Sequence, residues 1–139
     1  IVAGGSVRHS DGGVVGSTAT QLIGQFKVDY AIIGASAIDE EGALLDFDYR
    51  EVQVAQAIIA NARSVMLVAD STKLHRSAPV RIAHLSQIQT FVTDRALPDG
   101  LAGLCHNRGI DVIAAMPAAE LDDGSDASEP TSAAIFRRA

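Results

Sequence analysis

The sequence predicts an α/β fold: a mainly parallel sheet with flanking helices. Three observations predict it. Apolar runs of strand length recur at residues 30–33, 65–69, 91–93 and 112–115. Helical periodicity fills gaps between them. The apolar residues, 47% of the 139, are Ala, Val, Ile and Leu, with aromatics at 4% and no Trp, which suits closely packed layers of helix and sheet.

The elements follow in chain order. Ala19, Leu22, Ile23 and Phe26 recur at i, i+3, i+4 and i+7, the stripe of a helix leading into the first strand. Val52, Ala55, Ile58, Ile59 and Ala62 repeat that pattern before the second strand. Asp48 stands at N-cap of this helix and Glu51 at N3, the pattern of a capping box. A third helix is expected over 98–108. Pro98 opens it, Leu101, Leu104 and Cys105 form its stripe, and Gly109 sits at C′. Residues 79–82 alternate and include Pro79, which suits a short edge strand. Alternating strand and helix implies βαβ units. The two clearest strands are apolar at nearly every position, as expected where helices cover both sheet faces. Residues 1–116 read as the folded domain, and 117–139 as an acidic, flexible tail containing Glu120, Asp122, Asp123, Asp126 and Glu129.

Charge and cysteine content narrow the function. The formal net charge of -6 argues against a face that grips DNA phosphates, which needs clustered bases. No apolar run is long enough to span a membrane. Cys105 is the single cysteine, so no intrachain disulfide forms and a reducing cytoplasm is the expected setting. His9, His75, His84 and His106 lie in separate segments without metal-ligand spacing, and no nucleophile elbow is present. No metal, cofactor or catalytic residue is expected.

In an open parallel sheet, ligands bind beyond the carboxyl ends of the strands. The first strand runs out into Gly34, Ala35, Ser36 and Ala37, the second into Asp70, Ser71, Thr72 and Lys73, and the third into Asp94. Lys73 with two neighbouring hydroxyls suits a phosphate. The same residues would equally serve as a capped turn with a surface ion pair. Gly4, Gly5 and Arg8, followed by Gly12, Gly13 and Gly16, form a glycine-rich connection. It either brings backbone N–H groups to an anion or is simply a loop that needs glycine. Asp46, Asp48 and Glu51 crowd acidity beside the same edge, where helix capping and hydrogen bonds to a polyol are both open.

Several segments together resemble the DeoR family of transcriptional repressors. They are Gly4-Gly5-Ser6-Val7-Arg8, Asp11-Gly12-Gly13-Val14-Val15-Gly16, residues 29–39, Val68-Ala69-Asp70-Ser71-Thr72-Lys73, and Thr93-Asp94. Residues 25–29 and 42–52 are most similar to the branch of that family responsive to glycerol 3-phosphate. The resemblance covers about residues 1–114. It implies a sugar-phosphate-binding fold of the ribose-5-phosphate isomerase type, here N-terminally truncated, because the family's first βα unit would precede Ile1. It also implies a phosphorylated small-molecule effector, and contact with operator DNA only through a preceding helix-turn-helix. A homo-oligomer and the absence of a membrane partner are part of the same expectation. Carried over by motif, Gly34, Ala35, Ser36, Ala37, Glu51, Asp70 and Lys73 would line the effector pocket, with Gly4, Gly5 and Arg8 near it. The chain departs from the family pattern at Ala55, where a lysine is usual, and at His75, where a glycine is common. The competing expectation is a sugar-phosphate isomerase with Glu51 as general base and Lys73 as electrostatic support.

Overall fold

The computed structural model describes residues 1–115; the expected tail at 117–139 lies outside the described residues. A two-residue antiparallel pair, β1 (Ser6–Val7) and β2 (Val14–Val15), leads into helix α1 (Ser17–Ile23). The central sheet has the order β3 (Val28–Ile33), β6 (Ala62–Val68), β8 (Thr90–Thr93) and β9 (Asp111–Ala114), all parallel. Helix α2 (Tyr49–Ala60) lies between β3 and β6 in the chain, and α3 (Asp99–Arg108) between β8 and β9. The α/β class and the mainly parallel sheet are therefore as the sequence predicts.

A second, antiparallel sheet is not signalled by the strand patterns. It has the order β4 (Ala37–Ile38), β5 (Ala43–Asp46), β7 (Val80–His84). The segment at 79–82 does become an edge strand, but of this small sheet. The hairpin turn before β5 is built by Asp39, whose Oδ1 accepts the N–H groups of Glu41 (3.1 Å) and Ala43 (2.7 Å). Gly42 takes φ 89° there. His84 fastens the turn from below: its Nε2 meets the Glu41 carbonyl at 2.8 Å, while Nδ1 accepts the Ser86 N–H at 3.0 Å.

One core unites the two sheets. Ala31, Ile33, Val65, Leu67 and Phe91 cover the inner face of the parallel sheet. They pack with Ile38, Leu44 and Ile82 of the small sheet, Val52 of α2, and Leu101 and Cys105 of α3. The expectation that helices cover both faces of the parallel sheet is corrected here. Among the described residues the other face is bare: Tyr30 is 74% exposed, Ile32 69% and Val68 47%, with Val28 and Ile113 beside them. Topology accounts for this. The strands advance in one direction from β3 to β9, so crossovers of one hand deliver their helices to one face. Among the described residues no helix is long and apolar enough to cross a membrane.

Candidate functional site

Parallel pairing brings the carboxyl ends of β3, β6 and β8 side by side. Beyond β3, Ala35 and Ala37 turn inward and are buried, which pins the loop between them. Ser36 is held from both ends: its N–H donates to the Leu45 carbonyl (3.0 Å) and its hydroxyl to Asp46 Oδ1 (3.1 Å). Gly34 stays exposed at the mouth of the loop.

Beyond β6, residues Ser71–His75 form a 3₁₀ turn. Asp70 caps it, accepting the Thr72 N–H at 2.8 Å and the Thr72 hydroxyl, while the Lys73 N–H donates to the Asp70 carbonyl at 3.0 Å. The Thr72 hydroxyl and N–H hold the Asp70 carboxyl below its usual range. From the neighbouring strand end, Asp94 accepts both the N–H and the hydroxyl of Ser71. Leu74 is buried in the core, and the turn packs on β4. Lys73, half-buried, therefore projects from a backbone fixed on three sides.

The glycine-rich segment is a small hairpin. Arg8 pairs with Gly13 through the backbone (2.9 Å), and its carbonyl accepts the Gly12 N–H (3.0 Å). Gly5 is required by close approach, because a Cβ there would lie 2.7 Å from the Val15 carbonyl oxygen. Gly4 lies beside Thr18. The Arg8 guanidinium, with a side chain only 20% exposed, contacts Glu51, Asp11 (3.3 Å) and Asp48 (3.7 Å). Asp48 is the N-cap of α2, accepting the Arg50 N–H at 2.8 Å. Arg50, through its side chain and its N–H, keeps the Asp48 carboxyl below the usual range. Glu51 turns to Arg8 from the first turn of α2.

Two cavities meet at this ion pair. One, of about 310 Å³, is lined by Gly34 and Glu51 with apolar walls from Val14, Ile33, Val54 and Ala55. The other, of about 360 Å³, is lined by Arg8, Asp48, Arg50 and Ser10. Gly34 and Glu51 thus share a cavity, and Arg8 touches Glu51. Ser36, Asp70 and Lys73 do not line the cavity of Glu51; the turn bearing Lys73 packs on β4. A cleft of about 580 Å³ between α2 and β7 holds none of the sequence-predicted site residues. Among the described residues no group of three or more His, Cys, Asp or Glu side chains is disposed to hold a metal ion. Asp94, which the sequence places at this edge without assigning it a role, ties the end of the third strand to the Ser71–His75 turn. Its position directly after the third strand, beside Thr93, was the available signal for a role there.

Residues 1–95 match the model of the DeoR C terminal sensor domain. The chain belongs to the DeoR sensor-domain family. The DeoR sensor fold is of the sugar-phosphate-binding type, in keeping with the parallel sheet described above. The chain is 45% identical over 98 residues to the glycerol-3-phosphate regulon repressor of Escherichia coli K12, covering 70% of this chain and 39% of that protein. It is 46% identical over 101 residues to the protein of the same name from Haemophilus influenzae, covering 73% and 39%. It is 35% identical over 113 residues to the HTH-type transcriptional repressor CsqR of Escherichia coli K12, covering 81% and 43%. This DeoR domain spans about two-fifths of the length of these relatives.

Proposed function

We propose that this chain is the effector-sensing part of a cytoplasmic transcriptional repressor of carbohydrate or glycerol metabolism. It binds a phosphorylated polyol or sugar such as glycerol 3-phosphate. Binding controls DNA contact made by a helix-turn-helix elsewhere in a longer, oligomeric polypeptide. The observation that carries this reading is the convergence at one sheet edge of the 34–37 loop and the capped turn bearing Lys73. Lys73 would meet the phosphate, and Gly34, Ala35, Ser36 and Ala37 would approach it through backbone. Glu51 would accept hydroxyl protons of the polyol from the adjoining cavity, with Arg8 holding its carboxylate in place. Gly4 and Gly5 seat the hairpin that carries Arg8. The net charge of -6 is consistent with operator contact lying outside this chain. The three relatives described above are repressors by name.

The isomerase alternative draws less support. Arg8 holds Glu51 Oε1, which leaves Oε2 to accept a hydroxyl hydrogen bond, and the relatives described above are repressors by name. Sensing requires binding without turnover. The test is thermal denaturation of the complete polypeptide with glycerol 3-phosphate and, separately, glycerol. A ligand at about one hundred times its Kd stabilises the native state by ~2.7 kcal/mol. A rise in melting temperature of several degrees is expected for the phosphate ester alone. No shift with any polyol phosphate would remove the effector assignment.

A further inference from the structure

We infer that Asp94 is a positioning residue of the effector site, holding in place the turn from which Lys73 reaches the ligand. This rests on the reading of Lys73 as the effector's cation. Asp94 follows β8, the strand next to β6, and the Ala69 N–H donates to the Val92 carbonyl at 3.1 Å where that pairing runs out. Immediately past this point the Asp94 side chain takes over. Its Oδ1 accepts the Ser71 N–H at 2.6 Å and its Oδ2 the Ser71 hydroxyl at 3.1 Å. Two bonds from one residue to the two oxygens of one carboxylate set orientation as well as distance.

The 3₁₀ turn needs such help. Its internal hydrogen bonds have poor geometry and do not sustain long runs. Ser71 is held by Asp94, Thr72 by Asp70, and Leu74 by the core; Lys73 sits between the last two. A lysine is a point charge on a flexible four-carbon stem. The protein controls its reach mainly by fixing where the stem begins, and Asp94 fixes that origin from a different strand. The Asp94 charge does not simply oppose an anion nearby. Two Ser71 donors and the Arg95 guanidinium (3.3 Å) already occupy its oxygens, and its role requires no contact with effector.

The test uses the complete polypeptide with glycerol 3-phosphate as ligand, comparing Asp94→Ala, Asp94→Asn, Lys73→Ala and the Asp94→Ala/Lys73→Ala double variant. Affinity is read by calorimetry, and backbone amide exchange is followed at residues 71–73. Asp94→Ala is expected to weaken binding at least ten-fold and to speed exchange at those amides. Asp94→Asn keeps an acceptor for the Ser71 N–H and recovers most of the affinity. Because Asp94 acts only through Lys73, the double variant binds no more weakly than Lys73→Ala alone. Losses that multiply in the double variant, or an Asp94→Ala protein that binds as the parent does, would overturn the inference. Should Asp94→Ala not fold, Ser71→Ala removes one of the two bonds and is expected to give a smaller loss of the same kind; unchanged binding there counts against the role. If the parent protein does not bind glycerol 3-phosphate, the functional reading fails separately. Exchange at 71–73 in Asp94→Asn against the parent then still decides whether the carboxylate holds the turn.

Discussion

The bare face of the parallel sheet gives the sharpest quantitative expectation for the 139-residue chain. Parallel sheets are ordinarily covered on both faces, and here, among the described residues, Tyr30, Ile32 and Val68 stand uncovered beside Val28 and Ile113. Their exposed fractions amount to roughly 500 Å² of contiguous apolar surface, at the size where patches mark interaction sites. Joining two such faces would remove about 1,000 Å² from water, the lower limit for a specific interface. The gross gain is on the order of 25 kcal/mol at ~25 cal/mol per Å², of which ~4–15 or more is lost to association entropy and side-chain ordering. Self-association in the micromolar range is the expected net result. Replacing Tyr30 and Ile32 together by Thr keeps good strand formers and removes about half the patch. The dissociation constant should then rise by at least 100-fold, about 2.7 kcal/mol. Sedimentation velocity between about 1 and 100 µM reads this directly. A parent chain that stays monomeric over that range, or a double variant that associates equally well, would refute the reasoning.

Three further outcomes follow from the fold. Gly42→Ala places a methyl 3.2 Å from Leu104 Cδ2 and 3.3 Å from Leu85 Cδ1 on a backbone with φ 89°. Chemical denaturation should register a loss of ~1–3 kcal/mol. Phe91→Ala empties the centre of the core, where the side chain is fully buried, and is expected to cost ~3–5 kcal/mol in the same assay, with Phe91→Leu costing much less. The Asp48, Asp70 and Asp94 carboxyls are all held below their usual range by hydrogen bonds. Their contribution is complete above the ordinary carboxylate pKa and is lost as pH falls through the lowered native values. Melting temperature should therefore drop on acidification, and Asp70→Asn with Asp94→Asn should flatten that dependence; an unaltered profile would show that these caps do not differ between native and unfolded states.

The parallel sheet was legible because its strands carry their own signal. Residues 65–69 are apolar on both sides of the pleat, and α2 shows its stripe through Val52, Ala55, Ile58 and Ile59. The small sheet was not legible, for a physical reason. β4 has two residues and β5 four, too few for alternation to be distinguished from chance, and their pairing depends on a turn closed by the Asp39 side chain. The strand pattern alone did not tell which face is bare, because an apolar strand looks the same whether or not a helix covers it. Leu67 and Val68 are adjacent, similar in character and opposite in fate. The 3₁₀ turn at Ser71–His75 was visible as a capped segment, but its tie to Asp94 joins residues 23 apart in the chain, and local pattern carries no information about that.

Arg8 shows the same limit where it bears on function. A lone arginine in a glycine-rich connection suggests an anion receptor when only its neighbours in the chain are considered. In the fold it is surrounded by Asp11, Asp48 and Glu51, two of which come from the start of α2, so an incoming phosphate would compete with three carboxylates for one guanidinium. Lys73 makes no ion pair among the described residues, although Asp70 is near enough for the lysine charge to help lower its pKa. The cation free to be neutralised by a ligand gains more from it than one already neutralised. On the effector reading proposed above, that difference gives the two basic residues different work: Arg8 ties the hairpin to α2 and holds Glu51, and Lys73 would meet the anion. Arg8→Lys, which keeps the charge and loses the forked donors, should accordingly loosen the hairpin more than it alters phosphate affinity, whereas Lys73→Arg should alter affinity with little effect on the hairpin.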